Sequence, residues 1–587
     1  MTAKCRWERF RAGPSQEGGY VAVMTALLLI VLMGLAAFAV DVGRLYVVGQ
    51  QEQNAADAAA LAGVTSLPGN VVGAVTAAKK FSKINGFQDG VAATTVTAAQ
   101  EGKATRLRVT VRRTVDNIFG PLLGVRQSTV SRTAVADFGG PLPMGSPCNE
   151  FGNDPEPGSN RGNACLNVSG QMWANVNSPG SDKANGDAYQ STKSCSSAVD
   201  GCTGSTNTDY ATDGYFYTVS VKPGMTGSLT IQLFDPVFVD VGLTCDASTS
   251  QTTTHFGKTG SSSDPLSTGA VNYLVTAADA GTRYKPGASE PYCTGDNMYD
   301  SHNSQVMNTQ FTVREPSPSL WNPVTFPQVA GCQKTYPGYS GNLFNVLDQY
   351  TSGTTKRSTY NKDSTGSTTS PTIVEGFRQW TTLCTISAPK VGDYVIQVKT
   401  NVGGSFDNAN AGNRFAMRAY GSGNLDKNLV SISGREKMGI YSNKPGALTT
   451  FHLARVPSGA AGQMLNVRLF DVGDSNQAGT IKIIFPPDVD AVGGPFTGCQ
   501  GAGPASGLLT GCGFPVKWLT NTNPPQSDHQ GKWQTVSVSI PANYECTDSD
   551  PASCWVRLQY DYGSGAAPTD VTSWAGNIDG DPVRLLE

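Results

Sequence analysis

Tyr20 to Val40, YVAVMTALLLIVLMGLAAFAV, holds no charged side chain, and Lys4, Arg6, Arg9 and Arg11 precede it. At about 1.5 Å per residue, a helix over this run is roughly 30 Å long, the thickness of a bilayer's hydrocarbon core, with Leu29 near its middle. A helix satisfies its own backbone polar groups, which lipid cannot do. The run therefore reads as a membrane-spanning helix. The basic residues before it, against Arg44 in the first stretch beyond it, place residues 1–19 in the cytoplasm and the bulk of the chain outside. The rival reading is a cleaved signal peptide, because Ala37-Phe38-Ala39 has the form of a cleavage site, although such peptides carry only about 7 to 15 apolar residues. Both readings export the remainder.

The cysteines agree with export. Of 13, Cys5 precedes the apolar run, whereas Cys148, Cys165, Cys195, Cys202, Cys245, Cys293, Cys332, Cys384, Cys499, Cys512, Cys546 and Cys554 follow it. This even set contains no C-x-x-C pair and no metal-spaced histidines, which favours disulfides in an oxidising space over zinc or redox chemistry. Cys195 with Cys202, Cys499 with Cys512 and Cys546 with Cys554 would each close a short loop; the full connectivity stays open. Across 587 residues there are 67 Gly and 34 Pro, 15 % charged residues and a net charge of -3. That composition has no nucleic-acid footprint, and it fits strands joined by long turns in two to four domains.

Beyond the run, residues 41–63 continue in helix formers past Gly43 and Gly49. Ala55, Ala58, Ala59 and Ala62 mark one small-residue face. A second helix is expected over 71–84, ending at Asn85-Gly86. Residues 106–115 (RLRVTVRRTV) alternate as a half-buried strand with a wet basic face, 91–98 pair with it, 117–123 form a short apolar helix or turn, and 128–138 add a third strand. Residues 41–138 thus make a small pilin-like α+β domain.

The block from Glu17 to Val64 resembles the N-terminal domain of Flp pilus-assembly TadE/TadG-like proteins. The resemblance rests on the charge-free helix, the D-x-G-R-L-Y step at Asp41 to Tyr46, and QNAADAAALAG at Gln53 to Gly63. It implies a bitopic bacterial cytoplasmic-membrane protein of the tight-adherence system, a minor pseudopilin or envelope anchor whose partners are the lipid bilayer and Tad pilus-assembly membrane proteins or pilins. Type IV pilins carry a Glu at the fifth mature position. Cleavage after Gly18 or Gly19 would put Val23 or Met24 there, a departure from that pattern which limits what the resemblance carries over and leads to the expectation of an unprocessed anchor of the TadG type rather than a polymerising subunit.

Residues 139–163 read as a Pro/Gly/Asn linker, 164–430 as a β-sandwich domain and 431–587 as a second one. Tyr215 to Pro236 and Thr450 to Gly473 share an aromatic-containing strand, a Pro/Gly turn, an alternating strand and Leu-Phe-Asp. An internal duplication explains this. Residues 351–370 are a polar, low-complexity insertion. The fold class is thus α+β and mainly β: an N-terminal transmembrane helix, a small α+β domain and two disulfide-containing antiparallel β-sandwiches.

Catalytic residues are not expected. His255, His302, His452 and His529 are far apart, and no H-E-x-x-H, G-x-S-x-G or complete P-loop spacing occurs. Asp246, Ser248 and Ser250 have the D-x-S-x-S spacing of a metal-ion-dependent adhesion site for Mg²⁺, but the residues after them will not form the helix such a site needs. Asp471, Asp474 and Asn476 in one turn, and Asp579 with Asp581 in another, are candidates for Ca²⁺; Asp-Gly turns without metal are commoner. Of the exported tryptophans, Trp173 and Trp321 lie in Asn/Pro-rich loops and are the candidates for exposed contacts with a surface glycan or host protein, whereas Trp533 and Trp555 open alternating strands and suit burial. That ligand-binding role, with the TadE/TadG-like segment as a mere anchor, is the alternative to pilus assembly.

Overall fold

The apolar run and the alanine-rich stretch after it form one helix, α1 (Glu17–Val64). In the computed structural model the described residues are 17–67, 71–138, 141–153, 172–192, 195–239, 242–243, 294–299, 307–317, 322–336, 338, 376, 380–402, 409–423, 429–443, 448–486, 496–519, 526–546, 552–579 and 583–586. They belong to two units, 1–138 with 583–587, and 139–582.

In the first unit α2 (Val71–Ile84) follows α1 and buries Ala74, Ala78 and Ser82. Gly86 stops it, holding a left-handed φ of 90° that a side chain would resist. Then come β1 (Thr94–Glu101), β2 (Lys103–Asp116) and β3 (Gln127–Phe138), in antiparallel order β1, β2, β3. On β2 the alternation holds: Leu107, Val109 and Val111 are buried and Arg108 and Arg112 face water.

The second unit opens with β4 (Pro143–Met144), β5 (Glu150–Phe151) and β6 (Trp173–Asn177). The expected linker over 139–163 therefore carries strands: Leu142, Met144 and Phe151 are buried, and β4 and β5 pair with strands far along the chain. Three scattered apolar residues are enough once long-range partners exist. Next come β7 (Tyr215–Val221), β8 (Leu229–Phe234), β9 (Asn297–Met298), β10 (Thr309–Arg314), β11 (Gln328–Tyr336), β12 (Trp380–Ile386), β13 (Gly392–Lys399) and β14 (Ala411–Gly421). A hairpin of β15 (Val430–Arg435) and β16 (Lys437–Ser442) follows. The rest is β17 (Leu448–Arg455), β18 (Met464–Phe470), β19 (Gly479–Ile484), β20 (Thr497–Ala502), β21 (Gly507–Leu508), β22 (Gly513–Val516), β23 (Trp518–Leu519), β24 (Gln526–Ser527), β25 (Trp533–Ser539), β26 (Trp555–Asp561) and β27 (Asp570–Ile578).

The duplication extends to the pairing of the main strands. In the first copy β7 pairs β13, β8 pairs β12 and β14, and β10 pairs β11 and β13. In the second, β17 pairs β26, β18 pairs β25 and β27, and β19 pairs β22 and β26. Trp380 stands opposite Phe234 in register as Trp533 stands opposite Phe470. The aspartates that end the two Leu-Phe-Asp motifs, Asp235 and Asp471, share a left-handed φ of 52° and 57°.

Rings pack between the two layers of each copy, Phe311 on Phe415 at 4.9 Å and Phe451 on Trp574 at 5.7 Å. The two copies do not part at residue 430. One layer continues from β7 through β15 and β4 to β17, and the other from β14 through β6 and β16 to β27. Cys332–Cys384 and Cys499–Cys512 link the layers at the outer end of each copy, and Cys195–Cys202 and Cys546–Cys554 close loops. Cys148 is also disulfide-bonded; Cys165, Cys245 and Cys293 lie outside the described residues.

The last strand, β28 (Val583–Leu586), pairs with β3 of the first unit, Val583 opposite Phe138. Local pattern assigns these residues to the second sandwich, because nothing in a four-residue strand names a partner so distant in sequence. The second unit is therefore an insertion whose chain leaves and re-enters the first unit's sheet at neighbouring positions.

Replacing Cys332 and Cys384 together by Ser should cost about 2 to 5 kcal/mol, the usual loss for a native bridge. Proteolysis in urea should then cut the first sandwich copy at lower denaturant, and an unchanged cutting profile would show that the bridge constrains nothing.

Candidate functional site at the membrane exit of the long helix

α1 changes character at Asp41. Residues 19–40 form an apolar stretch with almost every side chain exposed. From Asp41 onward, one stripe turns inward: Asp41, Gly49, Glu52, Ala55, Ala56, Ala59, Ala60, Gly63 and Val64 are buried. The spacing of three and four keeps them on one side of the helix, where they pack against α2, β2 and β3. Ala58 and Ala62, expected on the packing face, are only half-buried. The alanines populate nearly every face, so their period cannot choose one. Gly49, Ala56 and Gly63, spaced by seven, mark the contact instead. A Cβ on Gly63 would clash with Leu107 and sit 2.7 Å from the Ala74 carbonyl oxygen.

The motif step at 41–46 has a defined task. The Asp41 carboxylate accepts hydrogen bonds from the backbone N–H groups of Ile118, Phe119 and Gly120 at 2.8, 3.0 and 2.7 Å. Arg44 Nη1 donates to the Asp116 carbonyl oxygen at 2.7 Å. The two side chains pin the turn between β2 and β3 to the first helical turn beyond the apolar run. Burial pushes the Asp41 carboxyl up, but the three N–H donors and Arg44 outweigh it and hold its pKa below the ordinary value.

Glu52 is fully buried, and neither carboxylate oxygen has a hydrogen-bond partner. Burial raises its pKa to about 7, against the opposing pull of Arg132 and Arg113. Glu52 is thus an acidic side chain, without the N–H donors that Asp41 has, that the helix stripe carries into the first unit's core, and neither amphipathic period nor composition distinguishes it.

The other sequence candidates fare differently. Asp471 Oδ1 accepts from the Gly531 N–H at 2.6 Å, and Asp570 Oδ1 accepts from the Gly473 and Asp474 N–H groups at 3.0 and 3.2 Å. Asn476 Oδ1 accepts from Ala567 N–H, and Asp579 accepts from Asn466 Nδ2. These groups lock turns. Among the described residues no group of three or more His, Cys, Asp or Glu is placed to hold a metal ion. Burial first, then mutual repulsion with Asp474, lifts Asp570 to about 8, while burial lifts Asp474 to about 7. Asp246, Ser248, Ser250 and Asp581 lie outside the described residues. Trp173, expected in an exposed loop, is fully buried on β6, stacked at 5.7 Å on Phe234. Trp533, Trp555 and Trp574 are buried too. Trp321 lies outside the described residues, as do His255 and His302; His452 and His529 are buried.

Residues 19–66 match the family model described as Flp pilus-assembly TadE/G-like, the family that the sequence resembles. The matched residues are those of α1 and the first residues after it. No curated protein and no solved structure matches the chain. The apolar helix and the family match together support a membrane-anchored, pilus-related role.

Two outcomes test this site. Ala56→Leu or Ala60→Leu should overpack the contact and cost about 1 to 3 kcal/mol, whereas Ala58→Leu and Ala62→Leu should cost less; thermal unfolding of the detergent-solubilised chain ranks them. Glu52 gives a pH dependence. Its folded pKa of about 7 exceeds the ordinary 4.5, so between those values the folded state binds more protons and stability falls as pH rises. Glu52→Gln should remove that slope and stabilise the first unit at pH 8 by up to about 3 kcal/mol. Hydrogen exchange of residues 41–64 at pH 5 and pH 8 measures it, and a slope retained in the variant would clear Glu52.

Proposed function

We propose that the chain is a non-enzymatic, single-pass membrane protein of the Tad/Flp pilus-assembly system. In this reading residues 1–19 are cytoplasmic and the inserted β-sandwich unit is displayed outside the cytoplasmic membrane. The observation that carries it is the coincidence of the family match with the clamped helix: the residues that resemble TadE/TadG-like proteins are those that emerge from the apolar run and organise the first unit. Four basic side chains before the run favour the orientation, and the disulfides favour an oxidising compartment for 139–582. Its work is mechanical, to hold a rigid β-body at the membrane and to contact pilus-assembly membrane proteins or pilins. The exposed positions Gln50, Gln51 and Asn54 of α1 are available for such contacts.

A photo-cross-linker at Gln50 of the full chain in its own cells should yield adducts with pilus-assembly membrane proteins or pilins. The absence of adducts at 50, 51 and 54, together with glycan-array binding by the full chain, would favour the surface-binding alternative.

A further inference from the structure

The turn pinned by Asp41 and Arg44 is itself unusual. Its nine residues, 117–125 (NIFGPLLGV), carry no ionisable side chain. Leu122, Ile118 and Val125 point to solvent, 82 %, 56 % and 52 % exposed. Such a cluster needs a covering surface.

Most of its backbone N–H groups find partners within the protein. Ile118, Phe119 and Gly120 donate to Asp41. Asn117 N–H donates to the Arg126 carbonyl, Leu122 to Phe119, Gly124 to Pro121 and Val125 to Gly120. Pro121 has no N–H to satisfy. The Asn117 side chain donates to the Val125 carbonyl at 3.1 Å and to Ser128 Oγ at 2.9 Å. Donors satisfied in this way lower the cost of leaving water, because lipid tails supply no partner.

Position supplies the occupant. Arg44 meets Asp116 at one end of β2, and Gly63 meets Leu107 nearer the other. Along the helix these anchor points are about 29 Å apart at 1.5 Å per residue, and along the strand about 30 Å at 3.3 Å per residue. β2 therefore runs alongside α1, and its end at Asp116 points toward the apolar run. The 117–125 turn is held level with residues 41–44, the first turn past Val40, where the headgroup region lies if residues 20–40 span the core. The apolar side chains of the turn thus lie at the level where the apolar run ends, and the exposed Arg44 and Arg126 stand beside them as cations suited to lipid phosphates.

We propose that the 117–125 turn is a second membrane contact, an interfacial wedge that seats in the headgroup and acyl boundary beside the spanning helix. The proposal rests on α1 being the anchor. With two attachments instead of one, the first unit keeps a fixed tilt and rotation relative to the bilayer.

The test uses the full chain with Cys5→Ser, reconstituted in phosphatidylcholine and phosphatidylglycerol vesicles, with an environment-sensitive fluorophore on Leu122→Cys. Leu29→Cys reports the spanning helix, and Ala99→Cys on the exposed face of β1, toward the opposite end of the sheet, reports water. Blue-shifted emission at 122, quenched by lipids bearing a shallow nitroxide, with no quenching at 99, is the expected result. Quenching at 29 without quenching at 122 overturns the wedge and leaves the anchor standing. No quenching at 29 overturns the anchor reading itself. A blue shift at 122 without lipid quenching assigns the turn to a protein partner or a second copy, and also overturns the wedge.

Discussion

Everything in the first unit depends on one helix being asked to live in two solvents. The first half of α1 is apolar on all sides and stays uncovered among the described residues. Its second half buries a stripe of alanines and glycines so narrow that a single Cβ at Gly63 would strike the backbone of α2. Because the helix does not break between the two, whatever the bilayer imposes on residues 20–40 reaches the sheet directly. The joint is the Asp41 carboxylate, whose three N–H donors would otherwise be open donors at a short 3₁₀ turn.

The inserted unit solves a different problem. It has few charges and many turns, and it gains rigidity by duplication. Two copies whose main strands pair alike share continuous layers through β4, β6, β15 and β16, so neither copy has to close its own edge at the junction. The links Cys332–Cys384 and Cys499–Cys512 sit where each copy's layers would be freest to separate. Entry at Phe138 and return at Val583, side by side on one sheet, tether this body to the first unit by two chain segments.

What could be read in the sequence was what local periodicity encodes. The length and polarity of α1, the helix over 71–84, the alternation of Leu107, Val109 and Val111, and the repeated Leu-Phe-Asp all report on residues within a few positions of each other. Misreadings arose wherever a distant partner decides the outcome. β28 is too short to announce its pairing with β3, and Leu142, Met144 and Phe151 look like linker residues until β14, β15 and β17 arrive. Trp173 looks like a loop residue until Phe234 covers it. On α1 the alanines are so dense that the buried face is set by the shape of the sheet, with Gly49 and Gly63 as its faint signature. Glu52 and the orphaned state of its carboxylate could not be read at all, since burial is a property of the assembled unit.

α1 is a single uninterrupted rod from the apolar run to the sheet. Amide hydrogen exchange of the full chain in lipid nanodiscs tests it most directly across residues 36–52, where Gly43 and Gly49 offer the places for a hinge. Slow exchange should continue without a gap through both glycines. A fast-exchanging segment between residues 41 and 49, with protected amides on either side, would mean that the anchor and the first unit are jointed and would contradict it.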